Sequence, residues 1–223
     1  MHSQTQNIIE EYKAFISNKT FPCIAARAAL ASGHIKCMLA GHLACPKDDR
    51  AILEFLYSFV DEYRLAKNTF HSAAIIFNGP QNVSEEYFDQ YLWQRLGSIA
   101  AFDAQQYKWD SRVSPDVSSA SFSFSIKEEA FFIIGLHPGS SRASRQFAYP
   151  ALAFNPHQEF EKLRATHHYE KLKEVVRKRD LAYSGSLNPM LSDFGEASEV
   201  FQYSGRKYNS DWQCPLEGMS NGQ

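Results

Sequence analysis

Phe131-Phe132-Ile133-Ile134-Gly135-Leu136-His137-Pro138 reads as a β-strand with apolar residues on both faces, and it stops abruptly at a histidine and a proline. A continuous apolar run of this length is what a strand covered on both sides needs. Upstream, Phe122, Phe124 and Ile126 alternate with serines, the period of a half-buried strand. Lys127 to Glu129 then turns this strand into the Phe131 to Leu136 strand as a hairpin. Ala151 to Phe154 and Ala73 to Phe77 are further short buried strands, the second closed by Asn78-Gly79-Pro80.

Helical periodicity fills the intervals. Asn7 to Ser17 carries Ile8, Tyr12, Phe15 and Ile16 on one side, and an alanine-rich segment follows over Ile24 to Ala31. Asp49 to Lys67 places Ile52, Phe55, Leu56, Phe59, Val60 and Tyr63 at the i, i+3, i+4, i+7 spacing of an apolar stripe. Ser84 is a suitable N-cap, with Glu85 and Glu86 where the helix dipole favours carboxylates; that helix runs to about Ala101. Pro156 begins a helix with Phe160 and Leu163, and Glu170 to Asp180 forms another. After Tyr183 the chain turns to Gly, Ser, Asn and Pro yet stays aromatic, as an ordered irregular segment does. Strands and helices interleave without long linkers. The sequence therefore predicts an α/β (α+β) fold: a single domain over residues 1–223 with a mixed β-sheet packed by helices.

Composition narrows the function. A chain of 223 residues with 44% hydrophobic and 22% charged residues buries a substantial core. Its net charge of -2 gives no basic field for nucleic acid. No apolar run approaches the roughly 20 residues of a membrane span, and the polar N-terminus lacks a secretory core. Four cysteines suit reduced thiols better than a disulfide framework. A cytoplasmic location is the expectation.

Several groups of residues suggest chemistry. The strand ending at His137 delivers a ligand-type side chain to its end, and Arg142 and Arg145 lie one turn on, in Gly139-Ser140-Ser141-Arg142-Ala143-Ser144-Arg145. That arrangement suits haem, which has an apolar body, a metal and carboxylates; the same stretch also reads as an ordinary strand and turn. Cys23, after Phe21-Pro22, is a second type of axial ligand, or a small apolar residue. The near-repeat Gly33-His34-Ile35-Lys36-Cys37 and Gly41-His42-Leu43-Ala44-Cys45 resembles a zinc set, but along a helix its side chains spread over about 16 Å of rise, too far for one ion, and in a loop the short gap leaves little chain to fold back. His167-His168 fits a polar helix turn better than a metal site. Serine-hydrolase, nucleotide-binding and zinc-protease motifs are missing. In the C-terminal third, Asp193, Glu196 and Glu199 alternate with apolar residues and glycine, then Arg206 follows. Such carboxylates fit a planar guanidinium through paired hydrogen bonds, and Arg206 fits a carboxylate; equally, Glu196 and Glu199 read as surface residues of a short helix.

The order of these pieces resembles the YqcI/YcgG family. The likeness rests on Phe21-Pro22-Cys23, the helix around Trp93, Phe122-x-Phe124-Ser125 and His137-Pro138 with Ser140-Ser141-Arg142-x-x-Arg145-x-Phe147. It continues through Phe154-Asn155-Pro156-His157-x-x-Phe160-Glu161-x-Leu163-Arg164, Arg177-x-Arg179-Asp180 and Gly185-Ser186-x-Asn188-Pro189-Met190-Leu191. Phe194-Gly195-Glu196-x-Ser198-Glu199, Gln202-Tyr203-Ser204-Gly205-Arg206 and Trp212-x-Cys214-Pro215 complete it. The resemblance implies a haem-dependent N-hydroxylase, a monooxygenase of natural-product pathways acting on a guanidino nitrogen of L-arginine or a related amino acid. It implies haem b, dioxygen and an electron donor, or peroxide, and allows a homodimer. Within it, His137 is the first choice for iron ligand, with Cys23 and His157 as alternatives. Arg142 and Arg145 would meet the propionates, Glu196 and Glu199 the guanidinium and its proton, and Arg206, Arg164 and Asn188 the rest of the substrate. Val200-Phe201 departs from the family pattern towards larger apolar residues and bears on substrate choice. A non-catalytic haem- or ligand-binding protein is the alternative.

Overall fold

The computed structural model describes residues 2–66, 70–165, 169–192 and 195–216. Two helices, α1 (His2–Ser17) and α2 (Ile24–Ala31), precede strand β1 (Ile35–His42). Helix α3 (Asp49–Leu65) crosses to β2 (Ser72–Gly79), which lies parallel to β1 with Ile35 opposite Ser72. Helix α4 (Glu85–Asp103) and a long loop lead into β3 (Phe124–Ile126), β4 (Glu129–Leu136) and β5 (Ala151–Pro156). Helices α5 (His157–Ala165) and α6 (Tyr169–Ser184) and the short α7 (Val200–Tyr203) follow. The strand order is β1-β2-β5-β4-β3, with every pair except β1–β2 antiparallel. This is the mixed sheet packed by helices that the sequence implied.

The β3–β4 hairpin closes as expected, with Ile126 paired to Glu129. Its central residues, Lys127 and Glu128, have φ of 52° and 56°, the left-handed conformation that matches strand twist in a two-residue turn. Neither is glycine, so outside contacts hold the turn. Arg64 Nη2 donates to both of their carbonyls, at 2.7 and 3.1 Å, and the Lys127 N–H donates to Asp103.

Side-chain alternation divides the interior. Ala73, Ile75 and Phe77 of β2, Phe131 and Ile133 of β4, and Leu152 and Phe154 of β5 meet the stripes of α3 and α4 in one core. Ala74, Ile76, Leu136 and Ala151 face the other way, towards Ile8, Tyr12 and Ile16 of α1. Gly135 permits the close packing of α4: a Cβ there would lie 2.8 Å from the Phe88 ring and 2.9 Å from Leu92.

One element departs from the expectation. Ile35–His42 is an edge strand, so the His34 to Cys45 near-repeat is strand and flanking turn. Its period-two alternation is weak because Lys36, Cys37 and Gly41 interrupt the apolar pattern. Among the described residues no three His, Cys, Asp or Glu side chains converge as a metal site. His167-His168 and Asp193 lie outside the described residues. Among the described residues no helix is long and apolar enough to cross a membrane.

Candidate functional site

A cavity of about 330 Å³ opens on the sheet face opposite α3 and α4. Ile35, Ser72, Phe132, Ile134, Leu136, Ala153 and Asn155 form its floor. Helices α1 and α2 form one wall, α5 and α6 another, and residues 188–192 with 197–202 a third. Its surface is mainly apolar, with aromatic edges from Phe21, Phe132 and Phe160.

Cys23 lines this cavity at the start of α2. Its extended backbone (φ -75°, ψ 103°) makes it the N-cap, and its sulfur accepts the Ala26 N–H at 3.4 Å. Burial pushes the thiol pKa up; the N–H groups of Ala26 and Ala25 and the charge of Arg145 oppose that shift. A helix N-terminus and a nearby arginine are the features that stabilise a thiolate. The preceding turn is pinned by Arg179, whose Nη2 donates to the Phe21 carbonyl at 2.9 Å.

Glu199 lines the cavity from the C-terminal wall and is buried. Its Oε2 accepts from Ser123 Oγ at 2.9 Å and from the Tyr203 hydroxyl at 3.3 Å, while Oε1 lies 3.5 Å from His157 Nε2. Tyr203 is itself held by the Phe124 N–H, which donates to its hydroxyl oxygen at 3.1 Å. The carboxylate is therefore fixed by a network reaching β3 and α5. Arg164 and Asn188 also line the cavity. Asn188 Oδ1 accepts the Met190 N–H at 3.0 Å, which shapes its loop.

Other expected residues stand elsewhere. His137 follows β4 with the register of Ile133 and Gly135, so its ring faces α4 and stacks on Phe88 at 4.2 Å, behind the sheet from the cavity. Burial lowers its pKa to about 4, Glu85 opposing and Arg145 adding to the shift. Arg206 lies beside Glu86 and Asp89 of α4, at 3.5 and 3.6 Å. Glu196 is exposed and is not part of the cavity lining, so it and Glu199 do not form a pair. His157 is buried beside Glu199 without lining the cavity. Of the expected iron ligands, Cys23 alone among these three lines the cavity.

The two arginines of the turn after β4 do line it, already engaged. Arg142 Nη2 meets Asp180 of α6 at 2.6 Å and the Ser186 carbonyl at 2.9 Å. Arg145 donates to the carbonyls of Gly135 and Tyr203 through Nη1 and to Gln202 through Nη2. These contacts join the turn to α6 and α7, and each guanidinium retains further N–H groups.

Sequence reasoning missed a second acidic feature. Glu159 of α5 accepts the His71 backbone N–H on both oxygens, at 2.8 and 3.0 Å, and its Oε1 lies 2.9 Å from His71 Nδ1. Burial raises Glu159 to about 7 and lowers His71. Both line the cavity. They are 88 residues apart in sequence, and Glu159 alone looks like an ordinary first-turn acid.

The lining fits haem in kind. It offers an apolar slot, a sulfur at a helix N-terminus, and five basic side chains (Arg142, Arg145, Arg164, Lys173 and Arg177) against three carboxylates (Glu159, Asp180 and Glu199). The surplus of positive charge suits a ligand bearing carboxylates.

The family model described as "YqcI/YcgG family" matches residues 12–217. The uncharacterized protein YqcI of Bacillus subtilis (strain 168) is 28% identical over 211 residues, which cover 90% of this chain and 82% of that protein. The uncharacterized protein YcgG of the same strain is 24% identical over 216 residues, covering 91% and 83% respectively. No solved structure matches the chain. With the family model spanning the whole sheet, the cavity and its three walls, the protein belongs to the YqcI/YcgG family.

Proposed function

We propose that this protein is a haem-dependent N-hydroxylase acting on a guanidino nitrogen of L-arginine or a related amino acid, with Cys23 as the iron ligand. The observation that supports it best is the position of Cys23, a capped sulfur on the wall of an apolar cavity that also holds the buried carboxylate of Glu199. Haem bound there would supply oxygen activation from dioxygen and two electrons.

The chain's own residues do the remaining work. Cys23 would hold the group as a thiolate, a form that Arg145 and the N–H groups at the start of α2 favour. Glu199 grips the guanidinium, which stays protonated in water. The hydrogen bonds from Ser123 and Tyr203 orient that carboxylate before substrate arrives. Arg164 or Arg177, which line the cavity, receives the substrate carboxylate; Arg206 lies beside α4. The floor is mainly apolar, which disfavours water against it. Four free cysteines suit the reducing cytoplasm as the compartment.

The test is spectroscopic and chemical. Protein produced with a haem supply should show a Soret band, a thiolate-type spectrum with carbon monoxide after reduction, and N-hydroxylated product from arginine, homoarginine or agmatine. Cys23→Ser should lose the thiolate spectrum while His137→Phe keeps it. A wild-type protein without a Soret band overturns the proposal. A Soret band without product points to a haem-binding protein that is not a catalyst.

A further inference from the structure

One corner of the cavity pairs a carboxyl with an imidazole. Glu159 projects from the first turn of α5 and His71 from the residue just before β2, joined by three short contacts. The His71 ring stacks on His34 at 4.4 Å and 10° and meets Tyr63 edge-on at 5.4 Å. His34 precedes β1 and is half-buried, so this chain of rings runs from the cavity towards the outside of the sheet edge.

The proposed reaction needs protons at this place. One oxygen atom of dioxygen enters an N–H bond to give N–OH, and the other leaves as water. Two electrons come from the donor, and two protons from solvent match them. We propose that Glu159 and His71 form the proton port of the cavity, a role that rests on reading the cavity as a site of dioxygen-dependent N-hydroxylation.

The transfer balances without any electron moving. Glu159 gives its carboxyl proton to the cavity. With the His71 proton on Nδ1, that N–H breaks as a Glu159 O–H forms while Nε2 takes a proton from solvent, and a turn of the imidazole that brings the new N–H back to Glu159 resets the pair. The carboxyl is suited to this because it is poised near neutrality. Burial raises it to about 7, against the His71 and Phe70 N–H groups and the charges of Lys162 and His34, which favour the carboxylate. Burial and then the charge of Lys162 lower the His71 pKa, favouring its neutral form. Tyr63 feels the Glu159 charge from α3, its hydroxyl pushed above its usual range chiefly by burial. An imidazole in direct contact with a buried carboxyl can hand protons to it along one short hydrogen bond.

Haem-loaded wild type, Glu159→Gln, Glu159→Asp and His71→Asn are compared for product and hydrogen peroxide formed per electron pair, with a melting temperature for each. Glu159→Gln should lower kcat about a hundredfold with KM within about twofold, as loss of a positioned acid does. It should raise the peroxide share and the solvent deuterium isotope effect, and Glu159→Asp should restore part of the rate. Separately, infrared spectra of haem-free protein should contain a protonated-carboxyl band that fades as pH rises through about 7. Glu159→Gln removes that band and His71→Asn shifts its midpoint. A folded Glu159→Gln protein with unchanged kcat, pH profile and peroxide share overturns the port, as does the missing infrared band. A wild type that binds haem yet forms no product fails the functional reading instead, while the infrared result still decides whether the dyad titrates.

Discussion

Glu199 and Ser123 meet at 2.9 Å across 76 residues of sequence, and the serine belongs to the segment that begins β3. A buried carboxylate with one oxygen so restrained presents its remaining lone pairs in a fixed direction. Glu199→Gln keeps the size and part of the hydrogen bonding but removes the charge. We expect it to weaken binding of a guanidino compound by about 1.5–3 kcal/mol, the worth of a charged hydrogen bond. Calorimetric titration with arginine, wild type against variant, measures it. An uncharged ligand of similar shape should bind both proteins alike.

Arg145 is expected to matter for stability first. Three backbone carbonyls, those of Gly135, Tyr203 and Gln202, take their hydrogen bonds from this one buried guanidinium. Arg145→Met leaves them unpaired in the interior, at a cost of about 3 kcal/mol or more. Arg145→Lys fares little better, because an ammonium lacks the planar fork that reaches β4 and α7 together. Denaturant unfolding of the haem-free protein should place both variants well below wild type.

His137 sets an acid limit to stability. Its ring is buried against Phe88, and Nδ1 has no hydrogen-bond partner among the described residues. The folded pKa is about 4 against 6.5 for the free side chain. The unfolded chain therefore binds the extra proton between those values, so stability is intact above about 6.5 and falls as pH drops towards 4. The full effect is on the order of 3 kcal/mol. His137→Phe keeps the stacking and removes the titration. Unfolding curves inside and above that pH window should show a smaller pH dependence for the variant.

The same histidine explains what the sequence could and could not reveal. Strand identity came from apolar runs and alternation, so β2, β4, β5 and the β3–β4 hairpin were readable. Which face of β4 the residue at its end takes depends on where the helices pack, and α4 claims the face of Ile133, Gly135 and His137. Cys23 was readable as a candidate, but only the docking of α2 over the sheet makes it part of a cavity. Glu159 and His71 carried no local signal, since their chemistry arises from burial together. Glu196 and Glu199 looked like a pair by spacing; the short α7 buries one and leaves the other outside.

Gly135 provides the last expectation. It occupies the strand that forms the cavity floor, with its α-hydrogens against α4 rather than the cavity. Gly135→Ala would put a methyl group 2.8 Å from Phe88 Cε1 and 2.9 Å from Leu92 Cδ1. Either α4 moves back or Phe88 leaves its stacking position over His137. Overpacking of this sort costs about 1–3 kcal/mol. The substituted atom lies behind the sheet, so the cavity wall chemistry is unchanged. We therefore expect a lower melting temperature with haem binding retained at temperatures where the variant is folded. Haem loss at a temperature where the far-ultraviolet spectrum is still native would contradict this separation of the two sheet faces.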